Sequence, residues 1–219
     1  LESDDVLSTI NCLKKLGVKI VKKKRKFYKI YGKGLGSLYA KKNTLLNFGN
    51  SGTLARLLIG ILTTTPDIQL NLIGDKSLNK RSMRKLVNTM SEFGAYFKPK
   101  NKFNFPLKII STNLPIGIGF KAGVSAQIKS AVMLAGLNSF GDTNILEKQK
   151  SRDHTENMLL KNKEVIKVIN KKDKLIKIRG KKYLHPININ VPGDPSSSAF
   201  FCALTLLNPG SQLKIKNVG

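Results

Sequence analysis

Apolar residues along this chain alternate between two rhythms. From Leu7 to Leu16 they fall at helical spacing (Val6, Ile10, Leu13, Leu16) and stop at Gly17, after which "VKIVKKKRKFYKIYG" alternates like a two-stranded hairpin. The same order returns with a helix through Met83, Leu86, Val87 and Met90, a stop at Gly94, and a strand, turn and strand beyond it. A third copy runs through "HTENMLLKNKEVIKVINKKDKLIKIRG", where the helix is expected to end at Asn162 or Lys163. Neither is glycine; Asn is the better of the two at positive φ. The near-equal spacing predicts an internal repeat of helix, stop and hairpin, in three units that pack into one domain.

Four segments of another kind lie between these units: "GNSGTLARLLIGIL" from Gly49, "GDKSLNKRSMRKLV" from Gly74, "SAQIKSAVMLAGL" from Ser125 and "GDPSSSAFFCALTLL" from Gly193. Each is a small polar cluster running into a helix-periodic stripe, formed by Leu54, Leu57, Leu58 and Ile61 in the first and by Ile128, Ala131, Val132 and Ala135 in the third. Small polar residues at a helix start satisfy free backbone N–H groups, so capping accounts for any one of the four. Several such starts aimed at one cleft would instead make an anion site, since each presents N–H groups and the positive end of a dipole.

A chain of 219 residues, 41% hydrophobic and 24% charged, can bury one substantial core or two modest ones. No apolar run approaches the roughly 18 residues of a membrane helix. Cys12 and Cys202 have no C-x-x-C spacing, and His154 and His185 have no partner at metal-site spacing, so neither a disulfide framework nor a zinc site is expected. The chain opens on Leu1 without a basic-then-apolar leader and stops at "KIKNVG" as a strand is finishing, which reads as part of a longer cytoplasmic protein.

A formal charge of +26 would signal nucleic-acid binding if it were localised. The lysines are instead spread with Ile and Asn through nearly every segment, which favours compositional drift. "KKKRK" at 22–26 reads as the wet face of a hairpin. Arginine is the more informative cation, because its planar fork grips carboxylate and phosphate bidentately. Arg81, just ahead of the stripe that begins at Met83, stands at the positive end of a helix, where a cation calls for a compensating anion. Arg56 points away from Leu54, Leu57 and Leu58, as compatible with a surface or structural role as with binding. Arg152 precedes Asp153, which could simply pair with a neighbouring surface cation at little gain, and His154 reads as a helix-start residue. Gln127, beside Ser125, offers a donor and an acceptor suited to a polyhydroxylated or phosphorylated ligand. "GVSAQ" lacks the G-x-S-x-G elbow, and neither G-x-G-x-x-G nor a P-loop occurs. Residue chemistry alone leads to a small polyanion bound between helix N-termini.

The runs "GNSGTLARLL", "GDKSLNKRSM", "SAQIKSAVMLAGLN", "SRDHTENML" and "VPGDPSSSAFF", in this order, resemble the enolpyruvyltransferase family, most closely its shikimate-pathway branch. The likeness covers essentially the whole chain. It implies an α/β fold, an inverse α/β barrel built from repeated βαβαββ units, with residues 1–190 forming the N-terminal-half domain (its first unit truncated) and 191–219 the crossover and start of a second domain. It also implies transfer of the enolpyruvyl group of phosphoenolpyruvate to the 5-hydroxyl of shikimate 3-phosphate with release of phosphate, without metal or organic cofactor. By matching positions, Ser125, Ala126, Gln127 and Arg152 would contact shikimate 3-phosphate, and Gly52, Arg81 and Gln127 phosphoenolpyruvate, with Asn50 and Arg56 in support. Gly52 would leave room for glyphosate. Ser82 stands where the family's run has proline. The family's catalytic residues are expected beyond both ends, so this chain alone should bind but hardly turn over. The expected partners are small anions, with no nucleic acid and no membrane, acting in a cytoplasmic monomer. The rival branch, acting on UDP-N-acetylglucosamine, is disfavoured by "SRDHTE" and "VPGDPSSSAFF". A basic nucleic-acid-binding protein is the alternative from another class, resting on charge alone with 7% aromatics and no Trp.

Overall fold

A computed structural model describes residues 2–24, 27–170 and 172–218. Two compact units separate within it, one over residues 2–185 and one over 186–218.

The first unit begins with α1 (Asp4–Lys15), β1 (Lys19–Lys24) and β2 (Phe27–Tyr31). α1 carries Asp4 and Asp5 in its first turn and Lys14 and Lys15 in its last, matching both ends of its dipole. It stops where Gly17 adopts φ +82°, a left-handed conformation that glycine reaches without steric cost. β1 and β2 then pair antiparallel. Of the "KKKRK" run, 22–24 lie in β1 and are all exposed, and 25–26 fall outside the described residues.

Next come β3 (Leu45–Asn47), α2 (Gly52–Thr63), β4 (Gln69–Ile73), α3 (Arg84–Glu92), β5 (Tyr96–Lys98) and β6 (Leu107–Ile110). They are followed by β7 (Gly119–Ala122), α4 (Ala126–Leu137), β8 (Asp142–Glu147), α5 (His154–Leu159), β9 (Ile166–Asn170) and β10 (Lys174–Arg179). Both series read βαβαββ and build the same sheet. The orders are β3-β4-β6-β5 and β7-β8-β10-β9, with the first pair parallel and the other two antiparallel in each. The segment α1-β1-β2 matches the last three elements of that unit. The repeat visible in the sequence is therefore a repeat of topology.

Each sheet buries one face. Leu70 and Leu72 of β4 alternate with half-buried neighbours, as do Leu107 and Ile109 of β6, and Ile176 and Ile178 of β10 point into the same interior. Helices fill that interior, which is the inverse α/β barrel arrangement. The stripes expected on α2 and α4 are accordingly too narrow. Ala55, Ile59, Gly60 and Leu62 of α2 are buried as well as Leu54 and Leu58, and α4 buries every residue from Ile128 to Met133. Packed against each other inside, these helices have almost no wet face. Their contact is closest at Gly60, where a Cβ would stand 2.5 Å from the Ala131 carbonyl oxygen.

Two helix boundaries differ from expectation. α5 ends at Leu159, and Asn162 takes no left-handed cap; its side-chain oxygen accepts the His185 N–H at 2.7 Å, so burial and a long-range hydrogen bond fix it. Arg81 is not in the first turn of α3. It closes a separate 3-10 turn, Leu78–Lys80, and α3 begins three residues later at Arg84.

The second unit holds α6 (Pro195–Leu206), started by Asp194, whose carboxylate accepts the N–H groups of Ser196 and Ser197 at 3.0 and 3.2 Å ahead of a first-turn proline. Phe200, Phe201, Leu204 and Leu206 are exposed. The strand expected at "KIKNVG" does not form among the described residues; residues 211–217 are irregular, and Val218 makes a single parallel bridge with Gly193.

Candidate functional site: an anion cleft at two helix starts

α2 and α4 occupy equivalent places in the two repeats and start the same way. Ser51 Oγ accepts the Leu54 N–H at 3.2 Å, and Ser125 Oγ accepts the Ile128 N–H at 3.4 Å. Both serines are caps, as their residue type favours. Beyond the caps the two first turns are tied side chain to side chain. Gln127 Nε2 donates to Thr53 Oγ1 at 2.7 Å, while Arg56 Nη1 donates to Gln127 Oε1 at 2.8 Å and to the Gly52 carbonyl at 3.0 Å. Both ends of the Gln127 amide are thus engaged within the protein, and Arg56, half-buried, is a bridge between helices.

Arg81 arrives from the 3-10 turn. Its Nη2 donates to Asn50 Oδ1 at 3.0 Å and, more weakly, to Ser77 Oγ at 3.5 Å. Gly52 makes the convergence of the two arginines possible: a Cβ there would lie 2.8 Å from Arg56 Nη1 and 3.2 Å from Arg81 Nη1. Asn50, Gly52, Thr53, Arg56, Arg81 and Gln127 line a cleft of about 390 Å³ together with Asp5 of α1, its one carboxylate.

The electrostatics of this cleft are lopsided. α2 has no acidic residue in its first turn, and neither guanidinium makes an ion pair among the described residues. Burial, and then repulsion from Arg81, hold the Arg56 pKa below the usual arginine value. Two guanidinium forks and a helix N-terminus facing one polar cleft have the chemistry that a phosphate or carboxylate group would engage.

Of the sequence-predicted residues, the cleft gathers Asn50, Gly52, Arg56, Arg81 and Gln127. Ser125 and Ala126 adjoin Gln127 in the chain but do not line it. Arg152 is exposed on the 148–153 segment between β8 and α5 and is likewise absent from the lining. Sequence reasoning missed Thr53, although "GNSGT" places a hydroxyl directly after the glycine of a helix start. It also missed Asp5, which no local pattern connects with the cleft.

A second cleft, of about 450 Å³, lies between α1 and the end of β3 and contains Cys12. Burial pushes that thiol up to about 11 against the opposing pull of Lys15, and Sγ donates to the Asn47 carbonyl at 3.3 Å, so the thiol stays protonated and unreactive. The two converging guanidinium groups lie in the first cleft.

The family model for EPSP synthase (3-phosphoshikimate 1-carboxyvinyltransferase) matches residues 1–219. The chain belongs to the EPSP synthase family. It is 41% identical over 220 residues to a 3-phosphoshikimate 1-carboxyvinyltransferase from Sulfurihydrogenibium sp. (strain YO3AOP1), with all of this chain and 50% of that protein aligned. The protein of the same name from Zymomonas mobilis is 40% identical, with 100% and 48% covered. Among solved structures, an EPSP synthase from Acinetobacter baumannii superposes with a TM-score of 0.83 at 34% identity, covering all of this chain and 48% of that one. The chain spans about half the length of these relatives. In the second of the quoted runs, Ser82 Oγ accepts the Arg84 N–H at 3.3 Å, satisfying a first-turn donor of α3.

Proposed function

We propose that this chain supplies the shikimate 3-phosphate and phosphoenolpyruvate binding surface of an EPSP synthase, which transfers the enolpyruvyl group of phosphoenolpyruvate to the 5-hydroxyl of shikimate 3-phosphate and releases phosphate. The observation that carries this reading is the pair Arg56 and Arg81, brought together over Gly52 at the start of α2 with no ion pair to either among the described residues. In this reading Gly52, Arg81 and Gln127 receive the phosphoenolpyruvate anion, with Asn50 holding Arg81 and Arg56 holding Gln127. Ser125, Ala126, Gln127 and Arg152 receive shikimate 3-phosphate. Each end of the Gln127 amide keeps spare capacity, one N–H on Nε2 and one lone pair on Oε1, so it can contact a ligand while still bonded to Thr53 and Arg56.

Residues 1–190 would constitute the domain that carries this surface, and 191–219 the passage to a second domain. The working protein would be a cytoplasmic monomer that engages small anions rather than nucleic acid, with the spread of lysines raising encounter rates. Titration calorimetry of shikimate 3-phosphate into the chain, at low and moderate salt, tests the reading. Saturable one-to-one binding, weakened about tenfold or more by Arg152→Ala, is the expected result. Absence of binding by a folded chain would overturn it. A steep salt dependence with binding to nucleic acid would favour the basic-protein alternative.

A further inference from the structure

α4 carries a lysine where its surroundings call for an apolar residue. Lys129 is fully buried among Ile128, Ala131 and Val132, and its Nζ lies 2.7 Å from Glu147 Oε1 at the end of β8 and 2.7 Å from Glu156 Oε1 on α5. Lys174 of β10, about a fifth exposed, closes the group from the outside, 3.2 Å from Glu156 and 3.5 Å from Glu147. The cluster is neutral, with two cations and two carboxylates. Stability does not account for it, because apolar side chains of similar volume usually do as well as, or better than, a buried ion network.

Its contacts connect two particular places. Glu147 Oε1 also accepts the Ser151 backbone N–H at 3.1 Å and the Ser151 hydroxyl at 2.7 Å. On the other side of Arg152, Thr155 Oγ1 shares a hydrogen bond of 2.8 Å with Ser130 Oγ of α4, and Glu156 reaches Lys129. Arg152 is therefore flanked on both sides by residues anchored to α4 or its ion partners, while its own side chain is exposed. Within α4, the Lys129 N–H donates to the Ser125 carbonyl at 3.2 Å, one helical turn from the capping serine.

We infer that the Lys129–Glu147–Glu156 cluster is a positioning device that fixes the Ser151–Thr155 segment, and so Arg152, in register with the first turn of α4. These are positioning residues, acting on shikimate 3-phosphate through Arg152, and this functional half rests on the reading of Arg152 given above. The device holds one geometry because each carboxylate lies between Lys129 and Lys174, while Glu147 Oε2 and Glu156 Oε2 are buried without a hydrogen-bond partner. A slip of the segment strands a buried charge, which is costly, so intermediate positions are excluded.

The test uses the whole chain with two variants. Ser151→Ala removes one tie and leaves every charge in place. Lys129→Met/Glu147→Leu/Glu156→Leu replaces the cluster by apolar groups that should fold. Shikimate 3-phosphate affinity is measured by calorimetry, and amide hydrogen exchange compares residues 150–156 with strands β4 and β6. The expected result is selective loss of protection at 150–156 in the triple variant, with β4 and β6 still protected. Affinity should fall about tenfold in the triple variant and less in Ser151→Ala, and neither change should weaken binding further in an Arg152→Ala background. Wild-type affinity in a folded triple variant, where Arg152→Ala alone does weaken binding, would overturn the inference and leave the proposed function standing. Unchanged protection at 150–156 would overturn it as well. If Arg152→Ala has no effect, or the unaltered chain does not bind, the functional reading fails and takes the inference's functional half with it; the exchange data then decide whether the cluster holds the segment.

Discussion

Two groups of charges sit on α2, α4 and their neighbours, and they are built on opposite plans. At the helix starts, Arg56 and Arg81 face a cleft with no ion pair among the described residues, and burial first, then repulsion from Arg81, lower the Arg56 pKa. One turn further into α4, Lys129 is sealed from water against two carboxylates, with a second lysine behind them. The first arrangement stores unsatisfied positive potential where a ligand can reach it. The second cancels charge where nothing can. In one fold, then, the state of a cation's partners separates a group kept for binding from one kept for geometry.

The comparison is broken most directly by deleting one cation from the buried group. Lys129→Met leaves Glu147 and Glu156 in the core with only Lys174 between them, and should cost about 3–5 kcal/mol in urea unfolding. A loss under about 1 kcal/mol would mean that water or Lys174 already satisfies the carboxylates.

Acid sharpens the same contrast. Burial alone would raise the Glu147 pKa, but hydrogen bonds from Lys129 and Ser151 outweigh it and bring the carboxyl from 4.5 down to about 2. A carboxyl whose folded pKa is depressed stabilises the fold fully above its unfolded value and loses that contribution as pH falls through its folded value. The cluster's share, a few kcal/mol at most, should therefore be intact above about pH 5 and fade toward pH 2. Unfolding midpoints measured from pH 6 to pH 2 check this, and Glu147→Leu combined with Lys129→Met and Glu156→Leu should flatten the slope. An unchanged slope would place the acid sensitivity elsewhere.

Two glycines on α2 separate the regions on a smaller scale. A Cβ at Gly60 meets the backbone of Ala131 at 2.5–3.0 Å, and neither helix can yield without opening the interior. Gly60→Ala should cost about 1–3 kcal/mol. At Gly52 the atoms met are the tips of two flexible arginines, so Gly52→Ala should fold within about 1 kcal/mol of wild type while it displaces both guanidinia and weakens phosphoenolpyruvate binding. Equal stability losses at the two positions would show that the cleft is as tightly packed as the interior.

How far these regions could be read beforehand follows from the range of the interactions. The repeat was legible because helix periodicity, glycine stops at Gly17 and Gly94, and strand alternation are local signals, and three of the four polar clusters marked α-helix starts for the same reason, the one from Gly74 opening a 3-10 turn ahead of α3 instead. Interior burial of α2 and α4 was not legible: a stripe rule assumes a wet side, and these helices have sheets and helices around them. In the cleft, Arg81 and Gly52 could be singled out by local chemistry and by family resemblance, whereas the tie from Arg56 to Gln127 spans two repeats. The buried cluster went unread because Lys129, Glu147, Glu156 and Lys174 are ordinary charges in a charge-rich chain until the fold removes water from them.

The smallest expected effect is the one most diagnostic of the cleft. Arg81 is exposed, its side chain hydrogen-bonds to Asn50 and Ser77 among the described residues, and it repels Arg56. Removing it gives up one surface hydrogen bond of good length and relieves one unfavourable charge pair, two terms of similar size and opposite sign. Arg81→Ala should therefore lie within about 0.5 kcal/mol of wild type in urea unfolding, and its small effect should shift toward stabilisation as ionic strength falls, because salt screens the repulsion that the substitution removes. A destabilisation above about 1 kcal/mol at low salt would show that Arg81 holds the 3-10 turn together, and the cleft would then be a structural junction rather than a seat for an anion.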